Sequence, residues 1–436
     1  MLKRDWYVAA LTTAALMLCL VAAPPVVHAQ APGGAVRVAL PFDLVDTLDG
    51  ARFKIRVPAN WNGTLLVYLQ GSKVVAASRP DPIMVPPVLP GSEPLEATLL
   101  SRGYALAASD VSDADWQAQA SFQDHFALTT FFRGRIGDPK RVILWGISGG
   151  GLVSLRLIEN FPRSFDAAIA ICALGAGLPR RQDRFIDFTL AYATVFGWLE
   201  DEWGPVGNVK PGLNFQRQVY PKVNWPAADG SNRGGWEFIR LVNRLASDAF
   251  WQPDPAQGGY PGLLMNMLQG TQGLENVQMW ATGPVAQNLD HRYTLTPDEK
   301  TYLAGLGIKA DELLAKMNAR TNIAANARAR DYLHRLGDVH GVLRRPVLTL
   351  HTTLDGLTEV ANESAYRQTV KDSGYLENLR QAYVSGVGHC AFTSRQLLAA
   401  LAAVERWLDT GAPPDASAFP EALGFDNAFV PPPWPY

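Results

Sequence analysis

Short runs of Val, Leu, Ile and Ala, separated by turn residues, recur at 36–42, 51–57, 64–70, 103–109, 141–145, 166–172, 346–351 and 380–385, and each predicts a β-strand. From the third run onward polar residues almost vanish, the pattern of strands covered on both faces in a mostly parallel sheet. Between the runs, 121–134, 151–161, 360–373 and 394–409 carry apolar residues three and four positions apart and predict helices. Strand and helix therefore alternate as a doubly wound α/β layer requires.

The alternation stops at Cys172 and resumes at Pro346. The intervening stretch predicts helices over 182–201, 235–250, 261–280 and 309–335, and a further helix opening at Thr296-Pro297-Asp298-Glu299, a capping box with Pro in the first helical position. The expected organisation is a core over 30–178 and 341–412, interrupted after its sixth strand by a large helical cap over 179–340. The Pro-rich tail over 413–436 is expected to lie extended on the surface.

The N-terminus changes the picture of where this chain works. Lys3 and Arg4 precede an apolar run from about Val8 to Ala23, followed by Val27-His28-Ala29, a small-residue cleavage pattern. The expectation is a signal peptide over 1–29, cleaved after Ala29, and a mature protein that is secreted or periplasmic without stable membrane insertion. Cleavage removes Cys19 and leaves Cys172 and Cys390, which in an oxidising compartment either form a bridge or stay as two separate buried thiols. No cysteine or histidine spacing fits a metal site. Lys and Arg total 39 against 41 Asp and Glu, with no basic run, which argues against a nucleic-acid partner.

Chemistry concentrates at Gly146-Ile147-Ser148-Gly149-Gly150, directly after a strand and directly before a helix. A serine nucleophile needs its hydroxyl held out on such a turn, and flanking glycines let strand and helix close around it. The Gly149 N–H at the helix N-terminus can bond a developing oxyanion. The base is expected at His389, in the glycine-rich turn Ser385-Gly386-Val387-Gly388-His389-Cys390 after the last strand; His125, His291, His334 and His340 fall in helices, in the cap or at its edge. The orienting acid is expected at Asp355, in the loop after the strand 346–351, with Glu359 as the rival at the start of the next helix. The order Ser148, Asp355, His389 is the serine, acid, histidine order of one known arrangement. A second oxyanion donor is expected from Ser72 or Gly71, after the third strand.

On these residues the chain resembles the α/β-hydrolase superfamily, in its secreted, capped, esterase-like form. The resemblance covers about 36–178 and 341–410. It implies a Ser148 nucleophile, a His389 base, an Asp355 acid and backbone oxyanion donors; no nicotinamide fingerprint, Walker loop or HExxH occurs, so no cofactor is implied. Gln70-Gly71 stands where the common pattern is His-Gly. Cys390 after the histidine is similar to tannase and feruloyl-esterase enzymes, which carry the partner cysteine immediately before the nucleophile, where this chain has Ile147. The analogous bridge implied here joins Cys172, at the end of the strand beside the nucleophile strand, to Cys390.

The expected activity is hydrolysis of a small-molecule carboxylic ester by an acyl-enzyme route. An amidase or peptidase with the same triad is the alternative, because pocket shape and not the nucleophile selects the leaving group. A non-catalytic binding protein on the same scaffold is a third reading, separable by labelling with a serine-directed phosphonate. Six cap tryptophans (Trp198, Trp203, Trp225, Trp236, Trp251, Trp280) and Met265, Met267 and Met279 fit either a hydrophobic substrate or the cap's own core.

Overall fold

The structure, a computed structural model, describes residues 38–71, 82–110, 118–253 and 260–435. The segment expected to be a signal peptide lies outside them. Eight strands form one sheet in the order β1-β2-β4-β3-β5-β6-β7-β8. They are β1 (Phe42–Leu48), β2 (Ala51–Val57), β3 (Thr64–Leu69), β4 (Ala105–Ser109), β5 (Arg141–Ile147), β6 (Ala167–Ile171), β7 (Val347–Leu354) and β8 (Leu379–Val387). β2 runs antiparallel to both neighbours, and β3 to β8 are parallel. This is the strand order of the α/β-hydrolase fold, as the resemblance implied.

The first strand is displaced from its expected place at 36–42. The chain pairs instead over Phe42–Leu48, a half-exposed edge strand of alternating character, and the Asp49-Gly50 turn joins it to β2. Both turn residues have positive φ, 50° and 87°, as the tight hairpin turn demands. The Val, Ala and Leu of 36–42 attract a strand assignment more strongly than the alternating polar edge that forms the real one.

Helices α1 (Leu95–Ser101), α2 (Ala118–Arg135) and α3 (Gly149–Asn160) link the first six strands. The helical insertion follows β6: α4 (Leu178–Phe196), α5 (Glu200–Trp203), α6 (Arg233–Val242), α7 (Ser247–Phe250), α8 (Pro261–Leu268), α9 (Leu274–Ala281), α10 (Pro297–Gly305), α11 (Ala310–Asn318) and α12 (Ala327–Gly337). A π-type turn over Gln269–Gly273 joins α8 to α9, so 261–280 is nearly one helix, as expected. The capping box at α10 is formed: Thr296 Oγ1 accepts from the Glu299 N–H and Glu299 Oε2 accepts from the Thr296 N–H. The insertion has an aromatic core in which Trp203 and Trp236 are fully buried and Tyr192, Phe196 and Trp198 meet ring to ring. Met267 lies in the same core, whereas Met279 and Trp280 are exposed.

Helices α13 (Ala361–Asp372) and α14 (Ser394–Thr410) complete the layers on the sheet. The tail is less superficial than its proline content implies. Asp426 donates its N–H to Tyr383 O and Ser385 its N–H to Gly424 O, so the tail lines the edge of β8, and Phe419 and Phe425 are buried. Among the described residues no helix is long and apolar enough to cross a membrane.

Candidate active site

β5 ends and α3 begins on either side of Ser148, whose φ of 54° and ψ of −120° place a residue with a Cβ in a region that costs about 1–3 kcal/mol. Its surroundings leave no room for larger neighbours. A Cβ on Gly146 would lie 2.2 Å from Gly150 O, and one on Gly150 would lie 2.2 Å from Leu69 O. The two glycines are thus required by close backbone approach, which holds the serine at the carboxyl edge of the central strands. Gly149 opens α3, where backbone N–H groups precede the helical hydrogen-bond ladder and the dipole favours negative charge. Gly71 runs alongside: a Cβ there would sit 3.2 Å from Ser148 Cβ. Ser72 lies outside the described residues.

Asp355 and His389 come together from two loops 34 residues apart, with His389 Nδ1 2.7 Å from Asp355 Oδ2. The other carboxylate oxygen, Oδ1, accepts the N–H groups of Leu357 and Thr358, each at 2.8 Å. The histidine loop is tied to β7, since Gly388 donates its N–H to Leu354 O and Thr352 Oγ1 donates to Gly388 O. Burial alone would raise the Asp355 pKa, but the His389 charge and hydrogen bond outweigh it and hold the carboxyl below its usual range. For His389, burial opposes the charged form, yet Asp355 and Cys390 together hold its pKa well above the ordinary value. Glu359, the rival acid, faces away and pairs with Arg181 and Arg184.

The Ile171 carbonyl is where the segments converge. It accepts the Ser148 N–H at 2.8 Å and lies 3.9 Å from Cys390 Sγ, which is itself 3.6 Å from His389 Nε2. Among the described residues none shares a hydrogen bond with Ser148 Oγ. Cys172 follows Ile171 directly, and its sulfur, the Cys390 sulfur and a His389 ring nitrogen lie within 4.8 Å of one another. Both cysteines are present as buried thiols. Burial would raise the Cys390 thiol, but the Cys172 thiol and the His389 charge bring it down to about 6. Cys172 moves the other way, raised by burial and by its hydrogen bond and charge interaction with Cys390.

The other expected histidines are placed elsewhere. His125 is buried on α2 against Ser121 O and Tyr68 O, His291 pairs with Asp187, and His334 pairs with Asp338. Residues from the insertion that the sequence reading missed reach the acid loop. Arg181 of α4 donates to Leu357 O and to Glu359 (3.1 Å), and Asn266 of α8 donates to Gly356 O (3.1 Å). A signal existed: Arg181, Arg184, Phe185 and Phe188 share one face of α4 at helical spacing, and charges inside an apolar stripe mark a buried pair.

Comparison with known proteins finds no matching family model. The chain is similar to an o-phthalyl amidase from Xanthobacter agilis, 25% identical over 454 residues, covering 90% of this chain and 94% of the amidase. Among solved structures it is similar to feruloyl esterase B from Aspergillus oryzae, with a TM-score of 0.39 and 12% identity, covering 85% of this chain and 80% of that one. It is also similar to an acylaminoacyl peptidase from Pyrococcus horikoshii, with a TM-score of 0.36 and 10% identity, covering 80% of this chain and 37% of that one.

Proposed function

We propose that this chain is a serine hydrolase of small carboxylic acyl compounds, with Ser148 as nucleophile, His389 as base and Asp355 as the group that orients the base. The observation that carries this reading is the strained serine at the β5–α3 turn together with the 2.7 Å Asp355–His389 contact at the same sheet edge. Ser148 attacks the acyl carbon while His389 Nε2 takes its proton. The Gly149 N–H, with Gly71 or Ser72, bonds the oxygen that becomes negative. His389 then returns the proton to the leaving group, and water repeats the steps in reverse on the acyl-enzyme. The chain's own groups supply all of this chemistry, so the reading calls for no cofactor or metal.

Carboxylic esters, whose alcohols leave more easily than amines, are the first substrate class. Amides are the second, and the 25% identity to an o-phthalyl amidase along nearly the whole chain favours them. Phthalyl is an aromatic acyl group, and an aromatic or otherwise hydrophobic acyl moiety fits the apolar character of the insertion. In this reading the insertion caps the site, since α4 and α8 already bond the acid loop. The mature protein acts outside the cytoplasm after cleavage following Ala29, where Cys172 and Cys390 can join as a disulfide; mass mapping of unreduced peptides tests that bridge.

The deciding experiment measures kcat/KM on matched aryl ester and anilide pairs for the mature protein and for Ser148→Ala. The variant is expected to lose several orders of magnitude on every substrate turned over. Wild-type turnover by Ser148→Ala would overturn the mechanism, and the ester to anilide ratio assigns the class.

A further inference from the structure

Cys172 and Cys390 have no task in the proposed acyl transfer, yet they stand against its base. Among the described residues, six other than glycine have positive φ, and three of them are Ser148, Cys172 and Cys390. Such strained positions cluster where side chains must be aimed. Each cysteine is buried, Cys172 fully and Cys390 to within 8% exposure, so the sulfurs are held by packed surroundings.

We propose that, while Cys172 and Cys390 are reduced, Cys172 Sγ, Cys390 Sγ and His389 Nε2 form a binding site for a soft d10 divalent cation of the zinc and cadmium class, and that the cation, once bound, withdraws the catalytic base. The distances carry the proposal. Tetrahedral zinc with bonds of about 2.3 Å to sulfur and 2.05 Å to nitrogen places S and N about 3.6 Å apart and two sulfurs about 3.8 Å apart. Cys390 Sγ is 3.6 Å from His389 Nε2, and the two sulfurs and a His389 ring nitrogen lie within 4.8 Å of one another. Little movement is needed to close a three-ligand site.

The second layer fits equally well. His389 Nδ1 is engaged by Asp355 at 2.7 Å, which directs the Nε2 lone pair outward. A carboxylate behind a histidine is the arrangement that orients imidazole ligands to zinc. Two thiols and one imidazole select a soft cation over magnesium or calcium. His389 keeps 24% of its side chain exposed, which leaves an entry path from the active-site side. Binding releases two protons in all from the two thiols and the imidazole, so that a divalent cation held by two thiolates and a neutral imidazole is uncharged. The fourth coordination position stays open to water or substrate. No cysteine or histidine spacing along the chain announces the site, because the donors meet only across the ends of β6 and β8.

The binding claim stands apart from the proposed function, while the inhibition claim rests on it, and the experiment separates them. Reduced, otherwise intact protein is titrated with cadmium while the ultraviolet thiolate-to-metal charge-transfer absorption and acyl hydrolysis are followed together. One equivalent should raise the absorption, hydrolysis should fall with the same midpoint, and a chelator should reverse both. Cys172→Ser and Cys390→Ser should each lose the stoichiometric absorption. Asp355→Asn, which leaves both thiols in place but favours the His389 tautomer protonated on Nε2, should weaken binding at least roughly 10- to 100-fold. Protein first treated with excess oxidised glutathione should not respond: it accepts the two electrons and two protons as two reduced glutathiones while the Cys172–Cys390 bond forms. Absence of the absorption in reduced wild type, or its persistence in both serine variants, overturns the site. The full optical response in a protein that hydrolyses no acyl compound would uphold the site and overturn the hydrolase reading.

Discussion

Arg181→Met tests whether the insertion holds Asp355, the acid proposed to orient His389, in place. Arg181 is 1% exposed and is clamped between Leu357 O and Glu359, itself 13% exposed. Methionine keeps much of the apolar stem and removes the charge and the donors, leaving Glu359 with Arg184 alone at 3.4 Å. Breaking a buried pair by deleting one partner costs about 3–5 kcal/mol. The surviving Arg184 contact sets the expectation at the lower end, about 3 kcal/mol. The catalytic consequence follows from the loop: Leu357 and Thr358 donate the two N–H groups that hold Asp355 Oδ1, and Arg181 fixes the Leu357 carbonyl. A shift of about 1 Å in a positioning element costs roughly 100-fold in rate, and a loss of that size in kcat with a smaller change in KM is expected. Arg181→Lys retains charge but lacks the fork that spans both acceptors, so it should recover stability more than rate. The assays are chemical denaturation and steady-state kinetics on the best acyl substrate. Arg181→Met with unchanged stability and wild-type kcat would refute the reasoning.

Asp355→Asn should leave the fold intact and reduce kcat by roughly four orders of magnitude. The amide oxygen takes the Oδ1 position to keep the Leu357 and Thr358 N–H groups, so the NH2 faces His389 Nδ1 and forces the proton onto Nε2, the wrong tautomer; near-native kcat would contradict this. Glu363 on α13 is fully buried beneath β7, and burial pushes its carboxyl above the usual range despite His351 and hydrogen bonds from Thr349 and Gln381. Its folded pKa lies above its unfolded one, so its contribution is complete below the unfolded pKa near 4.5 and is lost as pH rises through the folded value. Glu363→Gln should therefore flatten the fall of Tm with rising pH, read by calorimetry across that range; an equal loss of Tm at acidic and neutral pH would refute it.

Much of the architecture was legible along the chain because it is local. Short, mainly apolar runs bounded by turn residues, such as Thr64–Leu69, read as strands covered on both faces, and Gly146 and Gly150 are required by close backbone contacts among β5, α3 and β3. The capping box at Thr296 is equally local, and so the start of α10 was plain. The edge strand Phe42–Leu48 was missed because one of its faces meets solvent and its polarity disguises it. What the tertiary structure alone decided is which distant groups meet. Asp355 turns to His389 while Glu359, four residues on, turns to two arginines of the insertion; loop position favoured Asp355, and the packing of α4 against the acid loop shows where Glu359 is held instead. Two thiols 218 residues apart come to rest beside one imidazole for the same reason: parallel strands bring their carboxyl ends to a common edge whatever the length of chain between them. Periodicity records what each residue does with its near neighbours, whereas a site is made by contacts that no local spacing encodes.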